Sequence, residues 1–356
     1  MRTSEDNKKF WEEYRKDRNK KWVVIIALII SCITIALIAT TIGPFEISVK
    51  QSLWVVVNNM FRGISNCARS SIVKVVWLVR VPRILTALLV GFSLAVAGAV
   101  MQPVLRNPMA SPFTLGISSG ASFGAAIAII LGKSIGKGSY AIIVNAFVFS
   151  LLSSVIILLV SKRKGTTAEM MILVGVALSY FFSACTSVIQ YFAESWQTAE
   201  VVFWMVGSLA KGTWDTLAIM FPVALVCIPF LMIKAKELNT ISSGDNEAKS
   251  MGINVQRTRI ILMIVTSLLT ATTICFTGAI GFVGLIAPHI TRILIGGDNK
   301  FVIPIAGLIG ALLLLIGDIV AMNVIAPVII PIGVMTSFIG VPMFIYLIIS
   351  RRGNNI

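Results

Sequence analysis

Residues 80–120 read RVPRILTALLVGFSLAVAGAVMQPVLRNPMASPFTLGISSG and carry the clearest structural signals in the chain. Their apolar part, residues 84–104, is long enough to cross a bilayer core as a helix, because a helix rises about 1.5 Å per residue and the core is about 30 Å thick. Prolines follow at Asn107-Pro108 and Ser111-Pro112, and proline lacks the N–H donor that continues a helix. The stretch predicts a transmembrane helix followed by a break at membrane depth, where irregular backbone lines a cavity or lies buried in protein.

Small residues recur at helical spacing within this predicted helix, at Gly91, Ala95, Gly98 and Ala99. Small side chains let two backbones approach closely where lipid provides no hydrophobic drive for association. We therefore expect this face to pack against another helix.

The composition excludes an ordinary soluble domain: 57% of the 356 residues are hydrophobic, only 13% are charged, and the mean hydropathy is +0.92. The apolar runs predict an all-α, polytopic membrane protein with about ten transmembrane helices and no separate soluble domain. The predicted spans are 22–43, 82–104, 113–132, 140–161, 169–191, 216–233, 258–279, 281–295, 302–320 and 333–350.

The net charge of +15 indicates orientation rather than nucleic-acid binding, because Lys and Arg are enriched in the cytoplasmic loops of membrane proteins. Most of the 30 Lys and Arg fall on the side that holds both termini. We expect a cytoplasmic tail at residues 1–21, a membrane domain at 22–350 and a second cytoplasmic tail at 351–356. The first apolar run has no convincing cleavage site, so it predicts a retained helix.

A weak internal repeat relates the two parts of the chain. Gly98 precedes Pro108 by the same interval as Gly278 precedes Pro288, and each glycine is followed by alanine and a β-branched residue. In the predicted topology the two copies run in opposite directions across the membrane. The pattern favours related, inverted halves.

Several motifs together resemble the FecCD-type permease subunits of ABC importers for iron-siderophore complexes, haem and cobalamin. They are RVPR at 80–83, GAVMQPVLRNPMASPFTLGISSGA at 98–121, GAIGFVGLIAPHITR at 278–292, GDIVA at 317–321, PIGV at 331–334 and GVP at 340–342. The resemblance covers residues 75–350 and implies a bacterial cell membrane protein that is not an enzyme. It implies a second permease copy or a similar permease, two ATPase subunits that use ATP, and an external substrate-binding protein, with no cofactor bound by this chain.

Arg80 and Arg83 stand at the predicted outer end of their span. Arginines of this kind either anchor the helix at lipid phosphates or bind carboxylates of an external protein. The resemblance implies the second role, docking of the binding protein. Met322 stands where several relatives carry a further docking arginine.

The cytoplasmic segment at 236–257 is the longest polar stretch predicted at the inner face. Its acidic start and glycine stop predict a short amphipathic helix rather than a solvated connector. The resemblance implies that this helix couples to the ATPase. The coupling residues are Asp245, Glu247, Ala248, Met251 and Gly252.

Polar groups on the first broken segment are predicted to line the translocation path: Gln102, Asn107, Pro108, Ser111, Ser118 and Ser119. Gly278, Pro288, His289 and Asp318 are expected to be structural or to act in gating. Asp318 is an acid inside an apolar span, which is functional by default, and a hydrogen-bonded structural role is favoured over a proton relay. The five scattered cysteines form no CxxC pattern, so no metal site is predicted.

Two other classes of function remain open from the residues. An ion-coupled secondary transporter would need more acids within its spans than Asp318. An intramembrane serine protease could pair Ser118, in a GxSxG pattern at 116–120, with His289, but no strand precedes that pattern. The sequence favours a permease that carries an iron-siderophore complex, or else haem or cobalamin, by alternating access driven by partner ATPases.

Overall fold

The computed structural model describes residues 4–352 except 44, 46, 63–70, 133–139, 165–166 and 327. Every regular element in these residues is helical, so the all-α prediction is confirmed. The helices are α1 (Ser4–Ala39), α2 (Val49–Arg62), α3 (Ser71–Val73), α4 (Val81–Val104), α5 (Ile117–Ile130), α6 (Ala141–Lys164), α7 (Ala168–Tyr191), α8 (Ser195–Met205), α9 (Trp214–Ile233), α10 (Ala235–Ser243), α11 (Asp245–Ser250), α12 (Val255–Thr277), α13 (Val283–Ile295), α14 (Asn299–Asn323) and α15 (Ile332–Arg352). A π-helical turn at Lys74–Arg80 joins α3 to α4, and a 3-10 turn at Pro112–Leu115 precedes α5.

Seven helical stretches in the described residues are long and apolar enough to cross a membrane. They are Trp11–Ala39, Ser71–Val104, Ala141–Ser161, Ala168–Tyr191, Trp214–Ile233, Val255–Thr277 and Asn299–Asn323. Three shorter apolar helices, Ile117–Ile130, Val283–Ile295 and Ile332–Ile345, fall on the remaining predicted spans. Together the long and shorter apolar helices agree with the predicted count of about ten spans, because apolar length is the property that lipid selects.

The most buried span contains α4, with 78% of its most apolar window inside the protein. It packs against α12, α13 and α14. A Cβ added at Gly91 would overlap the backbone of Gly310, and one at Gly98 would overlap the carbonyl of Gly284. The expectation that this small-residue face packs against protein is confirmed, and α4 is the axis of the bundle.

The two ends of the bundle hold different polar contacts. At one end lie Val104, α10, α11 and the starts of α12 and α14, and we call this the Arg259 end. At the other lie the end of α1, Arg83 and the end of α14, and we call this the Arg83 end.

The cytoplasmic tails at 1–21 and 351–356 stay a prediction, and the parts of them that the structure describes are helical. From Ser4 onward the N-terminal tail is the first part of α1, which continues unbroken to Ala39, so the boundary at residue 21 lies inside a helix. Of the predicted C-terminal tail, 351–352 end α15 and 353–356 lie outside the described residues. The inverted relation of the two halves stays a prediction.

Candidate coupling and translocation site

The first break comprises residues 105–116, between α4 and α5, and two prolines, Pro103 and Pro108, lie at its start. In a helix the N–H of each residue bonds the carbonyl four residues earlier, and proline has no N–H. Pro103 therefore leaves the carbonyl of Ala99 without its helical donor. Val104 is the last residue of α4, and Pro108, which would donate to its carbonyl in a continued helix, has no N–H. Two backbone acceptors thus need partners from elsewhere at the Arg259 end, because an unpaired acceptor inside a membrane protein is costly.

Arginines from two other helices supply these donors. Arg259 on α12 donates from Nε to the Val104 carbonyl at 3.0 Å. Arg292 on α13 donates from Nη2 to the Ala99 carbonyl at 3.3 Å and from Nη1 to the side-chain oxygen of Gln102. The last turns of α4 are therefore held by two cations.

The second break lies between α12 and α13, at residues 278–282. Gly278 ends α12 with a positive φ of 73°, and a Cβ there would overlap the carbonyl oxygen of Trp204 at the end of α8. Ser208 N donates to the Thr277 carbonyl at 2.7 Å, and Gly333 N donates to the Val206 carbonyl at 3.0 Å. The end of α8, the second break and the start of α15 thus meet backbone to backbone, which fits the structural role predicted for Gly278.

Each break contains one strained residue. Among the described residues, Arg106 with φ 46° and Phe282 with φ 66° are the non-glycine residues with positive φ. The left-handed conformation costs an L-residue about 1–2 kcal/mol, and such strain is typical of functional and switching segments. Both breaks, and not only the first, therefore contain a strained backbone residue.

Two cavities flank the second break. The Arg83 cavity, of about 470 Å³, is lined by Arg83, Asp318, Lys211, Trp204 and Gly278 among others. The Phe282 cavity, of about 720 Å³, is mainly apolar, and its lining includes Phe282 and also Phe113 from the 3-10 turn of the first break.

The polar residues predicted to line the path do not line any of the cavities described for this chain. Gln102 is buried and bonded to Arg292 and to the Leu285 carbonyl. Asn107 accepts a hydrogen bond from Met109 N, Pro108 is exposed, Ser111 caps the 3-10 turn, and Ser118 and Ser119 are buried and half-buried. Gln102 is bonded to α13, and Asn107 and Ser111 are bonded to residues that closely follow them, so the role of these residues in translocation stays a prediction with no cavity behind it.

The predicted docking arginines have partners within the chain. Arg80, 8% exposed, donates to the carbonyls of Thr40 and Phe45 and so caps the end of α1. Arg83 donates from Nε and Nη2 to the two carboxylate oxygens of Asp318, both at 2.8 Å. Docking of an external protein through Arg80 and Arg83 stays a prediction. The Asp318 carboxylate neutralises Arg83, and the bonds of Arg80 to carbonyls occupy donors without reducing its charge.

Asp318 is buried in α14 and is held by the bidentate pair with Arg83. This geometry agrees with a hydrogen-bonded structural acid and does not suggest a proton relay. Met322 lies one turn further along and lines a cavity of about 290 Å³ beside Arg80 and Arg83.

The predicted coupling segment forms two short helices, α10 and α11. Asp245 begins α11 and accepts bonds at 2.9 and 3.2 Å from Arg259 Nη2. Ala248 is fully buried against Ile241 and Val255, so it faces its own chain. Glu247 is exposed, Met251 is 72% exposed, and Gly252 has the positive φ of 80° that its helix-ending position favours. Of the five predicted coupling residues, these last three offer surface to a partner.

Further contacts, which the sequence did not predict, fix α10 to the starts of α12 and α14. Glu237 accepts from Thr258 at 3.0 Å and from Lys234 at 2.5 Å. Asn239 bonds Asp298 and Asn299 at the start of α14, at 2.8 Å each. Pro103 and Pro108 indicate that two carbonyls need donors, but nothing in the sequence identifies the distant Arg259 and Arg292 as those donors.

Pro288 and His289 lie within α13. Pro288 frees the Gly284 carbonyl, which faces Gly98 where a side chain would not fit. His289 is half-buried. The described residues contain no group of His, Cys, Asp and Glu that could hold a metal ion.

Comparisons with known proteins place the chain in a family. A model of the FecCD transport family matches residues 28–350. A "Putative ABC transporter permease protein" of Methanocaldococcus jannaschii is 45% identical over 348 residues, which cover 95% of this chain and 97% of that protein. The hemin transport system permease protein of Yersinia pestis is 33% identical over 295 residues, which cover 82% of this chain and 88% of that protein.

A solved structure has the same architecture. It shows "an inward-facing conformation of a putative metal-chelate type ABC transporter", with a TM-score of 0.80 and 31% identity, covering 92% of this chain and 99% of that one. Neither a protease nor an ion-coupled transporter agrees with these relatives. The chain belongs to the FecCD transport family, whose members are membrane-spanning permease subunits of ABC transporters and leave ATP hydrolysis to separate subunits.

Proposed function

We propose that this chain is the permease subunit of an ABC importer that carries a metal chelate, with an iron-siderophore complex as the first choice of cargo and haem or cobalamin after it. The hemin permease and the metal-chelate transporter among its relatives support this class of cargo. The chain acts by alternating access with a second permease, and a substrate-binding protein delivers the cargo.

The observation that carries the proposal is the accessible α11. This helix lies beyond the candidate spans, and Ala248 and Asp245 fix it to the bundle. Glu247 on the helix and the apolar Met251 directly after it are exposed. An exposed methionine beside an acidic side chain on a short, anchored helix suits insertion into a cleft of a partner ATPase.

The Arg259 end is cytoplasmic in this proposal. Lys and Arg are concentrated in the loops that lie at this end, which is the side that such residues favour. Cargo then enters at the Arg83 end, where the Arg83 cavity opens beside the second break. The binding protein docks at this end, and the exposed Lys50, Lys74 and Lys211 offer it positive charge beyond Arg80 and Arg83.

The first experiment is assembly of the chain with its neighbouring ATPase and binding protein in proteoliposomes. Radiolabelled ferrichrome, hemin and cyanocobalamin are each presented with and without ATP. Uptake of one of them that needs both ATP and the binding protein supports the proposal. Uptake driven by an ion gradient without ATP overturns it.

The docking surface is tested by Glu247→Arg, since a reversed charge at an exposed contact repels the partner. Co-purification of the ATPase with this variant falls, whereas Lys50→Glu, at the opposite end, leaves co-purification unchanged. Undiminished co-purification with Glu247→Arg contradicts α11 as the ATPase contact.

A further inference from the structure

Arg259 joins three parts of the Arg259 end in one side chain. It is on α12, its Nε binds the freed carbonyl of Val104 on α4, and its Nη2 binds Asp245 at the start of α11. The residue is 1% exposed, and it is the largest side chain among those buried below 2%. A guanidinium has donors in a rigid planar fork, so it holds two acceptors at a fixed separation.

We infer that Arg259 is the positioning residue that passes movement of α11 to the first break, and this inference rests on the proposed function. The ATPase contact moves α11, and Asp245 pulls the guanidinium with it. Because the same guanidinium holds the Val104 carbonyl, the force reaches α4 two residues before the strained Arg106.

A displacement of the Val104 carbonyl acts two residues before Arg106, so it favours a change of backbone conformation at that residue. A residue held at positive φ stores strain, so a small displacement of its neighbour is enough to shift the balance between two arrangements. The Val104 carbonyl has no competing helical donor, because Pro108 cannot provide one. Leu105, Arg106 and Asn107 still donate to carbonyls within α4, so Arg259 supplies the donor that the Val104 carbonyl itself lacks.

The other anchors of this segment do not replace Arg259. Glu237 bonds Thr258 on α12 and Asn239 bonds the start of α14, but neither reaches α4. Arg292 holds α4 from α13. Helix α10 packs against both α11 and α4, and Arg259 adds the hydrogen bonds that join Asp245 of α11 directly to the Val104 carbonyl.

The test compares Arg259→Gln with Arg257→Gln in the assembled transporter. Arg257 is on the same helix and exposed, so it is the matched control. Hemin or ferrichrome uptake per ATP hydrolysed falls about tenfold or more with Arg259→Gln, since hydrogen bonds to a charged group carry at least that factor. ATP hydrolysis itself continues, and Arg257→Gln leaves the ratio unchanged.

A second readout needs no cargo. Asn107→Cys, in a chain whose five cysteines are serine, reports on the first break through labelling by a membrane-impermeant maleimide. Labelling changes with ATP in the otherwise unaltered transporter and no longer changes when Arg259→Gln is added. A purely structural role would instead lower assembly, hydrolysis and uptake together.

If Arg259→Gln does not assemble, Asp245→Asn weakens the same link more gently and must lower the uptake per ATP. An unchanged ratio and an ATP-dependent label with either variant overturn the inference. Failure of the unaltered chain to take up any of the chelates with ATP is a different result, because it overturns the proposed function instead.

Discussion

The pair of Arg83 and Asp318 provides the sharpest test of how the helices are held together at the Arg83 end. Replacing Arg83 by Met removes the cation but keeps a long side chain of similar reach. The carboxylate of Asp318, with its side chain 3% exposed, then loses both bonds of 2.8 Å and stays among apolar helices. Asp318→Asn is the complementary change, because it removes the charge and keeps the shape.

The loss in free energy of unfolding depends on the charge that stays buried when its partner is removed. Breaking a buried ion pair by removing one partner costs about 3–5 kcal/mol, because the remaining charge is uncompensated. We expect Arg83→Met to lower the free energy of unfolding by about 3–5 kcal/mol. Asp318→Asn costs less, since the side chain of Arg83 is 12% exposed and its orphaned charge reaches solvent more easily. The double variant loses less than the sum of the two, with a coupling of about 1–3 kcal/mol.

The assay is reversible unfolding of the purified subunit in mixed micelles with increasing sodium dodecyl sulfate, followed by tryptophan fluorescence. The isolated subunit is used so that loss of a docking contact cannot contribute to the result. Additive effects of the two changes, or a loss below about 1 kcal/mol for Arg83→Met, would refute a buried pair that stabilises the fold.

Three other changes test local geometry. Gly98→Ala overpacks the contact between α4 and α13 and lowers the free energy of unfolding by about 1–3 kcal/mol, whereas Gly297→Ala, with open space around it, has little effect in the same assay. Gly252→Ala forces an alanine into the left-handed conformation at the end of the coupling segment. We expect it to lower the free energy of unfolding by about 1–2 kcal/mol in the same assay. Arg80→Gln leaves carbonyls at the end of α1 without their donor, so limited proteolysis cuts the following loop faster than in the unaltered chain; an equal rate would argue against that cap.

The spans were predictable because hydrocarbon sets a single requirement, apolar length, which composition records directly. The face of α4 at Gly91 and Gly98 was predictable for a related reason, since close backbone approach admits only small residues. The short helix α11 followed from its acidic start and Gly252. Each of these properties is local, so a window of sequence contains all of it.

The site was less predictable because its contacts join residues far apart in sequence. Arg83 and Asp318 are 235 positions apart, and Arg259 and Val104 are 155. Polarity alone suggested that Gln102 would face a path, but a buried amide is first required to satisfy its own hydrogen bonds, and Arg292 meets that need. A buried polar group therefore indicates a partner before it indicates a channel.

Arginine contacts fix helix α4 at both of its ends. Its 24 residues extend over about 36 Å, from the pair of Arg83 with Asp318 to the carbonyl of Val104 held by Arg259. Where α4 moves as one body, a shift that Arg259 imposes at one end is resisted at the other by the pair of Arg83 with Asp318. Opening the Arg83 end then requires that the bidentate pair separate or that α14 move with α4. Because glycines let α4 and α14 meet backbone to backbone at Gly91, movement of the two helices together costs less than separation of the ion pair.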